Sequence, residues 1–234
     1  MTPEEHFIKC YPNEGVGYLK DGQFFPLDNV AENPQHTFEV FPAFIVTKKP
    51  DALLHSHTGS HYKGLDPRTP SKLDLQGQIN MGIEWGICHT DGERCSEPVF
   101  WGNPKHRPPL EGRNFMYGVN DCFTLVQDWY FQNRGVVLPN FARDPFWHDE
   151  GENHIEEQYS KWGFHEISMK EAVPGDVFLY AIRSATIRHL SVYLGNNKVL
   201  SHFYDRLSCA EDFGTWAKYI VGTVRHVSTD ATHH

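Results

Sequence analysis

The stretch DCFTLVQDWYFQN, residues 121–133, decides the fold class of the half of the chain in which it lies. Its apolar residues recur at helical spacing and Asp121 stands where an N-cap belongs, so it reads as an amphipathic helix. Downstream, Pro174-Gly175-Asp176 breaks the chain and three short strands follow, at 177–181, 189–194 and 198–203. Asn196-Asn197 lies between the last two, where a two-residue hairpin turn belongs. A further helical patch is expected near 155–162. Helix first, then an antiparallel meander, defines an α+β domain.

Cys122 opens that helix. The unpaired N–H groups and the macrodipole of a helix start favour an anion, so a thiolate is expected to be stabilised there. A thiolate nucleophile needs a base. Along 189–194 the residues Leu190, Val192 and Leu194 share an apolar face, which turns His189 the other way, with Ser191 and Tyr193, toward a cleft. His189 is therefore the candidate base.

The first half reads differently. Short strands are expected at 15–19, 24–27, 37–40, 51–57 and 83–88, with turn residues at Asp21-Gly22 and Asn33-Pro34. The segment 58–70 carries Gly, Asp and Pro and reads as loop, after which Ser71 caps a helix. His55 and His57, two apart at a strand end, point to the same face. Asp74 follows seventeen residues after His57, three positions into the new helix. Two imidazoles and one carboxylate, with a fourth position open, are the ligand set of a catalytic rather than a structural Zn²⁺. Such an ion lowers the pKa of its water to about 7 and polarises a scissile carbonyl. The site also needs a general base, and Glu14 is suitably placed on an early strand.

Between the halves, WGNPKHRPPLEG (101–112) has too much Pro and Gly to continue a helix or a central strand and reads as a linker. In the 234 residues, 39% are hydrophobic, enough for real cores. A net charge of −9 with no Lys/Arg cluster excludes binding to nucleic acid through phosphates. No run approaches the roughly 18 apolar residues of a membrane span, and MTPEEHFIKC lacks a secretory pattern. Neither membrane insertion nor export by a leader is expected, so synthesis is placed in a cytoplasm. The five cysteines form no even framework and are expected to be reduced.

Two family resemblances sharpen these readings. YPNEGVG, NVAENP, HSH, PSKLD and IEWGI, spread over residues 1–90, resemble the JAMM-type zinc isopeptidases. The resemblance implies that His55, His57 and Asp74 ligate zinc, that Glu14 activates water, and that Ser71 helps hold the oxyanion. Thr58 stands where that family has Pro, and the loop to Ser71 is longer than usual. LEGRNFMYGVNDCFTLVQDWY, VPGDVFLY and RHLSVYLGNNKVLSH, over 108–225, resemble the NlpC-type cysteine peptidases. That resemblance implies Cys122 as nucleophile, His189 as base and Tyr117 near the oxyanion site. A third, polar residue orients the histidine as in other triads. Counting six from Gly195 falls on Ser201, with His202 one further. His202 is favoured because imidazole suits the role, and Ser201 is the alternative.

The expected architecture is thus α+β in two domains. A JAMM-like α/β domain spans 1–100, a linker 101–112, and an NlpC-like (papain-like) helix-plus-antiparallel-sheet domain 113–234. Fused in this order, the two resemble tail-assembly proteins of tailed phages. The implied activity is hydrolysis of peptidoglycan stem peptides at the tail tip, among other tail-tip proteins, after assembly in the host cytoplasm. The alternative is a structural tail-tip assembly factor with vestigial peptidase sites.

Overall fold

Asp176, in the Pro-Gly-Asp turn, shows how the C-terminal half is built. In the computed structural model, which describes residues 1–41, 43–59, 64–103, 105–147 and 153–230, this carboxylate is fully buried. It takes the Arg225 guanidinium in a two-pronged bond, Nε to Oδ1 at 2.9 Å and Nη2 to Oδ2 at 2.8 Å, and the Val173 amide at 2.7 Å. Gly175 has φ +105°, and a Cβ there would meet the Trp129 ring at 2.9 Å. The turn therefore requires glycine, and the Pro-Gly-Asp motif is architectural.

The chain divides into two compact units, Met1–His106 and Arg107–His234. In the second, α4 (Cys122–Arg134) precedes the short α5 (His154–Gln158), then β6 (Phe164–Glu166), β7 (Val177–Tyr180), β8 (His189–Gly195), β9 (Lys198–Ser201), β10 (Cys209–Asp212), β11 (Ile220–His226) and α6 (Val227–Asp230). The sheet runs β10-β9-β8-β7-β11-β6, antiparallel throughout. Asn196 and Asn197 close the β8–β9 hairpin with φ +51° and +61°, the two positive values that a type I′ turn demands.

Phe123, Leu125, Val126 and Trp129 of α4 pack on Val177, Leu179, Leu190, Val192 and Leu200 of the sheet. Each such fully buried side chain contributes about 1.5–3 kcal/mol. The opposite face is closed as well: Phe178, Tyr180 and Val199 lie under Phe213, Trp216 and Tyr219. The face expected to border a cleft is thus covered over most of its length, including Tyr193, and only the strand start at His189 lines an opening.

In the first unit, α1 (Pro3–Cys10) leads into β1 (Val16–Lys20), β2 (Gln23–Leu27), α2 (Ala43–Lys48), β3 (Ala52–His57), α3 (Lys72–Met81), β4 (Glu84–His89) and β5 (Val99–Trp101). The sheet order is β2-β1-β3-β4-β5, with only β3 and β4 parallel. A parallel pair needs a crossover connection, and α3 supplies it. Being central, β3 is buried from Ala52 to Ser56. No helix among the described residues is long and apolar enough to cross a membrane.

Two sequence expectations fail locally, and a third falls partly outside the described residues. Residues 37–40 form no strand. Asn29 takes over the hydrogen bonds that a strand partner would make, its Oδ1 accepting from Ala31 and Glu39 amides and its Nδ2 donating to the Glu14 and Thr37 carbonyls. Trp101, read as linker, ends β5 and is buried opposite Trp85. In the 58–70 loop, residues 60–63 lie outside the described residues.

The latter part of the 101–112 stretch is not free either. The Arg107 and Arg113 guanidiniums hold the Asp128 carboxylate at 3.0 and 2.6 Å. Arg113 also donates to the Pro108 and Pro109 carbonyls, and Gly112 N–H to the Ser208 carbonyl at 2.8 Å. Backbone held this way resists proteases, whereas Lys105 is exposed. Limited trypsinolysis should therefore cut first after Lys105. First cuts after Arg113, read by mass spectrometry, would contradict this docking.

Candidate active sites

In the N-terminal unit, the β3–α3 crossover brings together the three residues expected as ligands. His55 Nε2 lies 3.2 Å from Asp74 Oδ1, His57 Nε2 3.3 Å from Asp74 Oδ2, and the two Nε2 atoms are 3.3 Å apart. Three ligands about 2.0–2.1 Å from one tetrahedral ion stand about 3.3 Å from each other, so the spacing fits a single Zn²⁺. The chemistry of the donors agrees. His57 Nδ1 is 2.7 Å from the Pro67 carbonyl, which can only accept, so Nδ1 carries a proton. His57 Nε2 faces a carboxylate oxygen. In the neutral ring Nε2 is a lone pair open to a metal ion, and in the protonated ring it donates to Asp74.

Local sequence builds this arrangement. Ser71 and Asp74 form a capping box at the start of α3: the Ser71 amide and hydroxyl both donate to Asp74 Oδ2 at 2.7 Å. The Ser71 hydroxyl proton is thus directed at the ligand, and Ser71 orients Asp74; the expected oxyanion contact requires that bond to break. Ser56, the middle residue of His-Ser-His, is fully buried, and its Oγ accepts from the Gly15 amide at 2.9 Å. This ties the segment bearing Glu14 to the ligand strand. Glu14 itself lies two residues before β1 and is buried. Burial pushes its carboxyl up to about 7, with His57 opposing and Asp74 adding to the shift. Burial would raise Asp74 too, but the two imidazoles hold it well below the usual range. Burial dominates at His55 and depresses it, while at His57 the Asp74 carboxylate outweighs burial and raises it.

In the C-terminal unit, Asp121 caps α4, its Oδ1 accepting from the Thr124 amide at 2.8 Å. Its Oδ2 accepts from the Gly118 amide at 2.8 Å and from Arg143 Nη2 at 2.6 Å. Cys122 is consequently the first helical residue, and Tyr117 is turned into the same cleft. The cleft, of about 260 Å³, is lined by Cys122, His189, Tyr117, Phe115, Trp147 and Phe203 among others. The His189 ring stacks on Phe203 with centroids 3.9 Å apart.

The third position departs from expectation. Ser201 Oγ lies 2.9 Å from His189 Nε2, whereas His202 makes no bond to His189. Register is the reason. Ser201 pairs with Ser191, and Ser191 shares a face with His189 two residues earlier. His202 falls one residue on and faces away, fully buried against Phe115 at 5.2 Å. No bulge at that point restores it. Counting from Gly195 reaches the residue that register selects.

Burial works against the thiolate expected at Cys122. Burial, with the Asp121 carboxylate alongside, pushes the Cys122 thiol up to about 12. Burial, with His202 adding to it, pulls the His189 imidazole down to about 3. Desolvation is the largest effect at both groups, and no hydrogen bond joins Sγ to the ring among the described residues. Burial likewise raises the Tyr117 phenol, with Cys122 contributing and Arg188 opposing.

Comparison with known proteins adds to this geometry. Residues 102–225 match the model of the NlpC/P60 family. The chain is 30% identical over 178 residues to the "Tail tip assembly protein K" of Escherichia phage lambda, covering 75% of this chain and 81% of that one. The protein of the same name from Escherichia phage N15 is 24% identical over 233 residues, covering 94% and 91%. A solved lipoprotein-like NLP/P60-family protein of Staphylococcus aureus aligns with a TM-score of 0.36 at 23% identity, covering 50% of this chain and 38% of that one.

The raised thiol has a measurable consequence. The thiolate fraction of Cys122 grows only as pH rises toward 12, so its iodoacetamide rate in the free chain should titrate above the ~8.5 of an ordinary cysteine. An apparent value below 7 would mean that a thiolate–imidazolium pair forms without substrate.

Proposed function

This chain belongs to the NlpC/P60 family, and we propose that its C-terminal unit is a cysteine peptidase acting on peptidoglycan stem peptides from a phage tail tip. The observation that supports the reading is the placement of Cys122 and His189 on one cleft, with Ser201 Oγ 2.9 Å from His189 Nε2. The substrate class follows from the family and the tail-tip setting from the names of the two phage relatives. That setting makes other tail proteins the partners.

The chemistry starts from the thiol and the imidazole. With Nε2 engaged by Ser201, Nδ1 of His189 is the nitrogen left to take the thiol proton as Sγ attacks the scissile carbonyl. Proton transfer concerted with attack avoids placing a bare thiolate in a buried site. The resulting imidazolium returns its proton to the leaving amine, giving a thioester, and His189 then activates the water that hydrolyses it. The amides at the start of α4 and the Tyr117 hydroxyl are the donors nearest the developing oxyanion. Ser201 holds the ring orientation through these steps.

For the N-terminal unit we propose a Zn²⁺ held by His55, His57 and Asp74. When bound, it supplies Lewis acidity and an acidic water. Glu14, whose buried carboxyl holds a proton up to about pH 7, is the proton acceptor and donor of the site, and Ser71 keeps Asp74 oriented. JAMM-type isopeptide hydrolysis is the reaction that this set fits.

A second reading, an assembly factor with vestigial sites, draws on one observation: among the described residues no hydrogen bond joins Cys122 to His189. Digestion of purified murein separates the two. The enzyme reading requires released stem-peptide fragments, lost entirely in Cys122→Ala and reduced about 10²–10⁴-fold in His189→Ala. Ser201→Ala should lower kcat/KM by roughly tenfold or more, the size of one buried hydrogen bond to a charged ring, and by more than His202→Ala. The reverse order would return the orienting role to His202. Elemental analysis should find about one zinc per chain, absent from the His55→Ala/His57→Ala double variant. Zinc retained in that variant would refute the ligand set.

A further inference from the structure

Cys88 and Cys95, which neither proposed site uses, meet in the N-terminal unit. Cys88 lies on β4 opposite Ser56, so its side chain leaves the sheet on the face away from His55 and His57. There it is buried against Phe7 of α1, Ala52 and Leu54, and Cys95 packs on the same cluster. The chain reaches Cys95 by turning back after β4. The Thr90–Cys95 bridge is antiparallel, and the Ser96 amide donates to the His89 carbonyl at 2.9 Å. Cys88 stands two residues before Thr90, which puts it on the face that Cys95 shares, as its diagonal neighbour across the turn. The two sulfurs are hydrogen-bonded. That bond raises the Cys88 thiol, with burial adding, and lowers the Cys95 thiol against its burial, so Cys88 is the donor. Cys88 is 2% exposed, whereas Cys95 is half-buried.

From this geometry we propose that Cys88 and Cys95 are a disulfide-forming site, which staples the turn after β4 when the chain meets a small disulfide oxidant. The order of attack follows accessibility. The Cys95 thiolate attacks one sulfur of the oxidant, glutathione disulfide for example, forming a mixed disulfide and expelling one glutathione thiolate. Cys88 then loses its proton and its sulfur attacks the Cys95 sulfur, expelling the second. Two protein thiols are oxidised, one oxidant disulfide is reduced, and the two cysteine protons end on the two glutathiones. Cys95 lies outside the regular strands, where the backbone can follow the sulfur to bonding distance. The reduced thiols expected from the spacing of the cysteines are thus the state before the oxidant is met. The pair is chosen by the turn and by burial, which spacing does not show. It stands apart from the metal and peptidase readings.

The test is a thiol map of the native full chain. After incubation with glutathione disulfide, remaining thiols are blocked with iodoacetamide and the chain is digested with trypsin without reduction. Arg94 separates the two cysteines, so trypsin opens the turn and mass spectrometry reads the disulfide as two joined peptides. Cys88 should be joined to Cys95 in most chains, and dithiothreitol should restore both thiols. Oxidation should raise the thermal midpoint of the N-terminal unit by about 4 °C or more over the reduced chain, because the staple restricts the unfolded state. Cys88→Ser should stop the reaction at a glutathione adduct on Cys95. Cys95→Ser, at a half-buried position, should leave Cys88 unmodified and serves where the buried substitution does not fold. A native chain that keeps the Cys95 adduct with Cys88 still a free thiol overturns the proposal. So does a bond that forms only in denaturant, a midpoint that does not rise, or a Cys88 that reacts with glutathione disulfide in the Cys95→Ser chain.

Discussion

A buried carboxylate at the start of a helix, Asp121, is the constraint on which the C-terminal site depends. It satisfies the Thr124 and Gly118 amides and the Arg143 guanidinium together. Through the first it begins α4 at Cys122, and through the second it bends the preceding turn so that Tyr117 enters the cleft. Through Arg143 it holds the segment around Asn140 and Phe141, whose polar groups the same guanidinium also binds. Removing one partner of such a buried pair costs about 3–5 kcal/mol, because the other is left uncompensated. The charge that organises the site also acts on its chemistry. Lying beside Cys122, it adds to the desolvation that raises the thiol. Cys122 is therefore placed by an interaction that opposes its ionisation, so on the peptidase reading proton transfer to His189 accompanies attack.

The N-terminal site uses the same device with a different outcome. Asp74 is the acidic member of a capping box, and its carboxylate is turned at once toward the Ser71 backbone and toward two imidazoles. Helix capping orients the carboxylate, β3 sets the two histidines on one face, and Ser56 between them anchors the Glu14 segment. No loop has to be positioned independently. Each member of the cluster is fixed by a backbone requirement of its own, and this keeps the three side chains close enough to share one ion.

Much of this was legible in the chain itself, because it is local. Helical spacing and an Asp cap define α4, alternation puts His55 and His57 on one face, and Ser71 with Asp74 spells a capped helix. Asn196-Asn197 closes a hairpin through the backbone conformations that asparagine tolerates. What the chain could not reveal depends on partners distant in sequence. Ser201 rather than His202 meets His189 because Ser191 pairs with Ser201, and that register belongs to the whole sheet. Residues 37–40 are no strand because Asn29 satisfies their backbone first. The 213–219 segment that covers Tyr193 has no periodic signal of its own. The environment of the Cys122 thiol is of this kind too. A helix start can be read from a few neighbouring residues, but the desolvation that raises the thiol exists only once distant elements have closed around the group.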